Sequence, residues 1–230
     1  MTTPAPEPAT TLLVIAKQPV PGRVKTRLVP PCTHEQAAAL AEAALADTLN
    51  AVLMAPAARR VLVLEGEPGP WLPPGFDILP QCRGLLDERL AAAFAAVHGP
   101  ALLIGMDTPQ VTPGLLAVNW QAADAVFGPA ADGGFWALGL RLPDPALLRG
   151  VPMSTPATGA IQRGRLLSAG LRVADLPQLR DVDTAADAVA VARQAPRSRF
   201  AARARELAAV LSPVRAGESV VGASAVGETA

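Results

Sequence analysis

Three cations within five residues, Arg23, Lys25 and Arg27, follow the turn-forming pair Pro21-Gly22, and the apolar run Leu12-Leu13-Val14-Ile15 precedes the whole loop. A β-branched run opening into a Gly-containing basic loop is suited to a polyanion, because backbone N–H groups and cationic heads converge on the same phosphate oxygens. The stretch Ala16 to Pro30, AKQPVPGRVKTRLVP, is neither a P-loop nor G-x-G-x-x-G. A solvated basic turn after an edge strand has the same composition, so the rest of the chain has to decide.

Carboxylates come in two places. Asp107 follows the apolar run Ala101–Gly105 and precedes Thr108-Pro109. There it is either an N-cap or Asx turn, or a hard oxygen donor for Mg²⁺ or Mn²⁺ facing a polyphosphate. Asp181 and Asp183 form D-x-D ahead of Thr184 and an Ala-rich segment. Two such carboxylates can reach one ion, while Asp183 or Thr184 caps the helix; Asp187 stands at capping-box distance from Thr184. Between two apolar segments, Asp132-Gly133-Gly134 carries a hairpin signal, and its glycines also let a bulky ligand approach the backbone. Glu88 suits the start of a helix, and Arg89 beside it is free to pair with a phosphate or a carboxylate. His34 and His98 have no partner in sequence and receive no role.

These residues need positioning, and the apolar pattern says by what. Strands are expected at Thr11–Ala16, buried on both faces, at Val61–Leu64, Asp77–Leu79, Ala101–Gly105, Ala125–Gly128, Phe135–Leu140 and Leu171–Val173. Helices are expected from the Thr33/Gln36 capping box to Met54, over 86–97, 113–123, within 156–169, over 184–195, and over Ser198–Leu211 with Arg199, Arg203 and Arg205 on its wet side. Alternating strands and helices predict an α/β fold of three layers, α/β/α, with a mostly parallel mixed sheet. Ligands in such sheets sit beyond the carboxyl ends of the strands, where both the basic loop and the Asp107 turn fall. One domain over 11–211 is expected, between a Pro/Thr-rich disordered leader (1–10) and a disordered small-residue tail (212–230).

Composition narrows the classes. Twenty acidic and twenty basic residues cancel, so global charge recruits neither nucleic acid nor an anionic membrane. Aromatics are only 3%, too few for stacking on single strands. Cys32 and Cys82 lack metal-ligand spacing and read as reduced, partly buried thiols. No signal-peptide pattern opens the chain, and no apolar stretch approaches the ~18 to 20 residues that span a bilayer, so a cytoplasmic protein is expected.

Taken in order, IAKQPVPGRVKTRL, DERLAAAF, LIGMDTP, VFGPAADGGFWALGL and DVDT resemble a family of bacterial transferases related to the MobA and CofC nucleotidyltransferases. That family is known as the radical-SAM/selenodomain-associated, or arsenosugar-biosynthesis, glycosyltransferases. The resemblance runs from about residue 12 to 187 and implies a GT-A-like nucleotide-diphospho-sugar transferase fold. It makes Gly22, Arg23, Lys25 and Arg27, with Ala16 and Lys17 ahead of them, the nucleotide phosphate loop. Asp107, Asp181 and Asp183 become the metal side, for Mg²⁺ or Mn²⁺. Asp132, Gly133, Gly134, Arg89, Ser154 and Thr155 become the acceptor side. The chain departs from the family where it reads Leu85-Leu86 and Met153, which leaves the acceptor's identity open.

The implied activity is a metal-dependent transferase with Lys25, Asp107 and Asp132 as its catalytic groups. Its partners are a nucleotide or nucleotide-sugar donor and a small-molecule acceptor, with no nucleic acid or membrane. Glycosyl transfer comes first. Nucleotidyl transfer from an NTP to an acceptor phosphate is the alternative, and a non-catalytic nucleotide-binding regulator is the reading from another class.

Overall fold

The computed structural model describes residues 10–211, so the expectations for a disordered leader and tail lie outside the described residues except at Thr10. Thr10 is buried, and its hydroxyl accepts the indole N–H of Trp120 at 2.7 Å. A seven-stranded sheet forms the centre: β1 (Thr11–Lys17), β2 (Arg59–Glu65), β3 (Asp77–Pro80), β4 (Ala101–Gly105), β5 (Ala125–Pro129), β6 (Phe135–Leu140) and β7 (Val173–Asp175). Their order is β3-β2-β1-β4-β6-β5-β7, and β6 alone runs antiparallel to its neighbours. The expected mixed α/β sheet is what forms. The Asp132-Gly133 hairpin turns the chain from β5 into β6, reversing one strand and placing that turn at the carboxyl ends of the parallel strands.

Alternation along β1 explains the layers. Leu12, Val14 and Ala16 face one side with Leu62, Leu64, Leu102 and Ile104, covered by α1 (His34–Met54). Leu13, Val61, Val63 and Leu103 face the other, covered by α2 (Leu86–Ala95) and by Leu166 of α3 (Thr158–Ser168). Outside α1 lie α4 (Ala185–Gln194) and α5 (Arg199–Glu206), joined to it through Leu40, Ala44, Val191 and fully buried Phe200.

Because α1 is buried on two sides, it is apolar nearly all round. At 21 residues and mean hydropathy 1.4 it is long and apolar enough to cross a membrane by length and composition, contrary to the sequence expectation. Its place between sheet and outer helices accounts for that composition.

Local differences have physical causes. The helix expected over 113–123 is only a 3₁₀ turn, Pro113–Leu116. Beyond it, Asn119 accepts the N–H groups of Gln121 and Ala122, and Trp120 is drawn into the core toward Thr10. Side-chain bonding to local backbone and tertiary burial together outweigh helix propensity there. The last strand starts two residues late, since Asp124 takes the guanidinium of Arg172 at the strand's foot. The final helix breaks at Leu207 into α5 and α6 (Ala208–Leu211), with Arg199, Arg203 and Arg205 exposed as expected. Cys32 is buried, but Cys82 is exposed rather than partly buried, on the loop before α2.

Candidate functional site

The basic loop is pinned on both sides of its lysine. Pro21-Gly22 closes a turn in which Arg23 N–H donates to the Val20 carbonyl (3.0 Å), with Gly22 at φ 77°. Positive φ at the third turn position after proline is the type II pattern, which glycine serves without strain. Val24 then anchors in the core under α1, and Leu28 anchors in the outer helical layer. Between these two anchors Lys25 adopts a left-handed backbone, φ 48° and ψ 38°. For a residue with a side chain that conformation costs about 1 kcal/mol or more. It turns the ammonium inward.

Lys25 Nζ lies 2.7 Å from Asp107 Oδ2 and 3.1 Å from Asp183 Oδ1, and only 8% of the side chain is exposed. Arg27, mostly in solvent, holds the other oxygen of Asp183 at 3.1 Å. Burial opposes the Lys25 charge, but the two carboxylates outweigh it and hold its pKa above the usual lysine value.

Asp107 reaches this point as the residue after β4 and its Met106. The D-x-D segment is tied to it by backbone: Val182 N–H donates to the Asp107 carbonyl (3.1 Å), and Gln110 donates to the Arg180 carbonyl (2.7 Å). Val182 is fully buried among the outer helices, so its two flanking aspartates project from an anchored residue. Capping falls to Thr184 and Asp187, which form the full capping box. Asp183 is thereby left to the site.

The carboxylates are under-neutralised. Asp181 is pushed up to about 7, first by burial and then by the negative charges of Asp107, Asp132 and Asp183, with Lys25 opposing. Asp107 Oδ1 is buried without a hydrogen-bond partner among the described residues, and so is Thr108 Oγ1. Crowded carboxylates and an orphaned oxygen are hard-oxygen chemistry, a donor set that fits a divalent cation. No group of three His, Cys, Asp or Glu residues among those described is gathered as a ready-made metal centre. The Lys25 ammonium stands between Asp107 and Asp183.

A cavity of about 470 Å³ joins these groups at the carboxyl ends of β1 and β4. Its size is that of a small-molecule site. Ala16, Lys17, Arg23, Lys25, Arg27, Arg89, Asp107, Asp132, Gly134, Ser154, Thr155, Asp181 and Asp183 all line it. Gly22 and Gly133 are not part of the lining. Gly133, at φ 90°, packs so closely on the 154–159 segment that a Cβ would collide with the Pro156 carbonyl. Its own carbonyl accepts Gly159 N–H at 2.8 Å. Asp132 spends one oxygen on Gly134 N–H (2.9 Å) while lining the cavity. Ser154 is also left-handed, φ 57°, and the Thr155 hydroxyl lies 3.2 Å from that of Thr158.

Of the two partners its sequence left open, Arg89 takes a carboxylate: it is held by Glu65 at 2.6 Å and by the Gly84 carbonyl at 2.9 Å. Glu65 also takes Lys17, at 3.6 Å. Sequence reasoning passed over Glu65 although it ends a strand on the ligand side, which is a usable signal. It also passed over Gln81, whose amide donates to the carbonyls of Ala16 (2.7 Å) and Val63 (3.1 Å). Nothing in the one-dimensional pattern marks that residue.

Sheet order, one reversed strand and a ligand-sized cavity at the carboxyl rim define an α/β protein of the nucleotide-diphospho-sugar transferase fold. The crystal structure of a proposed nucleotide-diphospho-sugar transferase from Desulfovibrio desulfuricans G20 matches with TM-score 0.79 and 27% identity, over 88% of this chain and 96% of that one. Two others share the fold at lower identity. CMP:2-keto-3-deoxy-manno-octonic acid synthetase, complexed with CTP, matches at TM-score 0.52 and 13% identity, over 87% and 100% of the chains. The 2-C-methyl-D-erythritol 4-phosphate cytidylyltransferase of Thermus thermophilus matches at 0.50 and 20%, over 82% and 98%. No curated protein matches by sequence. Residues 39–155 match the family described as uncharacterized protein conserved in bacteria (DUF2064), and the chain belongs to that family.

Proposed function

We propose that this protein is a metal-assisted transferase that uses an activated nucleotide, with a nucleotide-sugar as donor and glycosyl transfer as the reaction. The observation that carries the reading is Lys25, buried in a left-handed turn and clasped by carboxylates from two distant segments inside one ligand-sized cavity. A lysine so placed is spring-loaded for exchange: a phosphate oxygen can replace its carboxylate partners without moving the backbone. Lys25, Arg23 and Arg27 then hold the donor's phosphates, with Ala16 and Lys17 at the edge. Asp107, Asp181 and Asp183 would hold Mg²⁺ or Mn²⁺, whose chemistry is charge neutralisation on the departing nucleoside diphosphate. Asp132, on the cavity wall, accepts the proton of an attacking hydroxyl. Gly134, Ser154 and Thr155 border the acceptor, while Arg89 orients Glu65 and Lys17. The description of the 27%-identical relative supports this reading.

Nucleotidyl transfer is the second reading, favoured by the three cations of the loop, which match a triphosphate as well as a diphosphate. The third, a non-catalytic nucleotide-binding regulator, uses the same loop without turnover. A thermal-shift panel of nucleotides and nucleotide-sugars, with and without Mn²⁺, identifies the donor, since a ligand of the native form raises apparent stability. Product assays then separate the readings: nucleoside diphosphate marks glycosyl transfer, pyrophosphate marks nucleotidyl transfer, and neither marks the regulator. Unchanged nucleotide binding and metal dependence in both Lys25→Ala and Asp107→Asn would place the site elsewhere.

A further inference from the structure

The two walls of the cavity differ in chemistry. On the crest, cations and carboxylates alternate. On the face of the sheet covered by α2, the lining turns apolar: Leu86, Leu90, Leu103, Phe135 and Met153. Leu86 is 41% exposed at the first turn of α2, and Phe135 and Met153 are half-buried, so this wall offers apolar surface that the fold itself leaves open. Polar groups that share the cavity with it include Asp132, Arg89 and the hydroxyl residues Ser154 and Thr155.

The cation on that side, Arg89, is already paired. Lys25 and Arg27 are engaged by Asp107 and Asp183 on the crest. Arg23 and Lys17 line the cavity from β1 and its loop, and Arg89, on α2 between Leu86 and Leu90, is paired with Glu65 and bonded to the Gly84 carbonyl. Asp132, bonded to Gly134 N–H, adds negative charge, which acts on Asp181. An acceptor phosphate or carboxylate entering here would meet the like charge of Asp132, with Arg89 already held by Glu65.

We infer that the acceptor is an uncharged alcohol carrying an apolar group, seated on the Leu86–Phe135–Met153 wall with its hydroxyl toward Asp132. This rests on the transferase reading and deepens it. It sides with glycosyl transfer, because nucleotidyl transfer needs an acceptor phosphate, and Arg89, the cation on α2 between Leu86 and Leu90 of the apolar wall, is already paired with Glu65. The step balances simply: the acceptor oxygen bonds to the sugar's anomeric carbon, the bond from that carbon to the diphosphate breaks, and Asp132 takes the hydroxyl proton.

Methionine methyl NMR on the whole protein tests this, because two methionines report on the two walls. Met106 lines the cavity beside Asp107, Met153 lines the apolar side, and Met54, 70% exposed on α1, serves as control. Phenyl β-glucoside should shift Met153 saturably, and phenyl phosphate should shift Met106 while leaving Met153 in place. Leu86→Glu puts an acid at a helix start, where it is tolerated, and should weaken phenyl β-glucoside about tenfold. Asp132→Asn keeps the bond to Gly134 and should admit phenyl phosphate to the Met153 side. Phenyl phosphate moving Met153 of the unaltered protein as strongly as the glucoside overturns the inference, and so does a glucoside that leaves Met153 unmoved. A nucleotide that fails to shift Met106 counts against the transferase reading instead, so the two failures are told apart.

Discussion

Two charge clusters sit at opposite ends of the sheet and are built on different terms. At the amino ends of β5 and β7, Asp124 accepts Arg172 through both oxygens (2.8 and 3.0 Å) with Arg141 nearby at 3.9 Å. Its hydrogen bonds with Arg172 hold its carboxyl well down, at about 2. At the carboxyl ends of β1 and β4, Lys25 and Arg27 serve Asp107, Asp181 and Asp183 with Asp132 close by, an oxygen stays orphaned, and Asp181 rises to about 7. One cluster is satisfied, and it fastens the ends of two strands. The other closes around a buried Lys25 and is short of positive charge, which a fold tolerates where a ligand completes it. Identical side-chain types thus do opposite work according to how their charges balance.

The largest expected effect breaks the crest cluster. Lys25→Ala should lower turnover by about a hundredfold or more, as loss of a key charge-stabilising group does, and abolish nucleotide-induced thermal shifts. The same variant should lose on the order of 3 kcal/mol in urea melts, since its carboxylates are left without their buried partner. Gly133→Ala comes next. With φ at 90° and the Pro156 carbonyl in the way, it should cost about 2 kcal/mol and loosen the acceptor side, read as a raised KM. Retained stability with an unchanged KM would show that the turn does not shape the cavity.

The pH responses should have opposite signs. Asp181 has a folded pKa above its unfolded value, so the fold holds a proton that the unfolded chain releases. Its penalty on stability is absent below about pH 4, grows as pH rises toward 7, and is then fully present. Asp181→Asn should therefore raise the stability of the ligand-free protein by on the order of 2 kcal/mol above pH 7, with the gain vanishing near pH 4. Asp124 has its pKa lowered, so its contribution is present above about pH 4 and is lost as pH falls toward 2. Asp124→Asn is the smallest effect: a slightly lower Tm above pH 4, a difference that shrinks as pH falls through about 2, and no change in nucleotide binding. A binding defect in that variant would erase the distinction between the two clusters.

Much of this protein follows from order and type of residue alone. The continuous apolar run of β1, the Thr33 and Thr184 capping boxes, the Asp-Gly hairpin and the loops after β1 and β4 that carry Lys25 and Asp107 are local matters. Apolar runs, capping geometry and turn chemistry act over a few residues and leave their mark in the string. What the folded chain decided is charge balance. Lys25 meets Asp183 across 158 positions, and Arg89 is claimed by Glu65 across 24. Asp181 has its pKa pushed up to about 7 because burial and three other carboxylates disfavour its charge. Those outcomes depend on distances between segments and on the exclusion of water, and neither is encoded by neighbours in the chain.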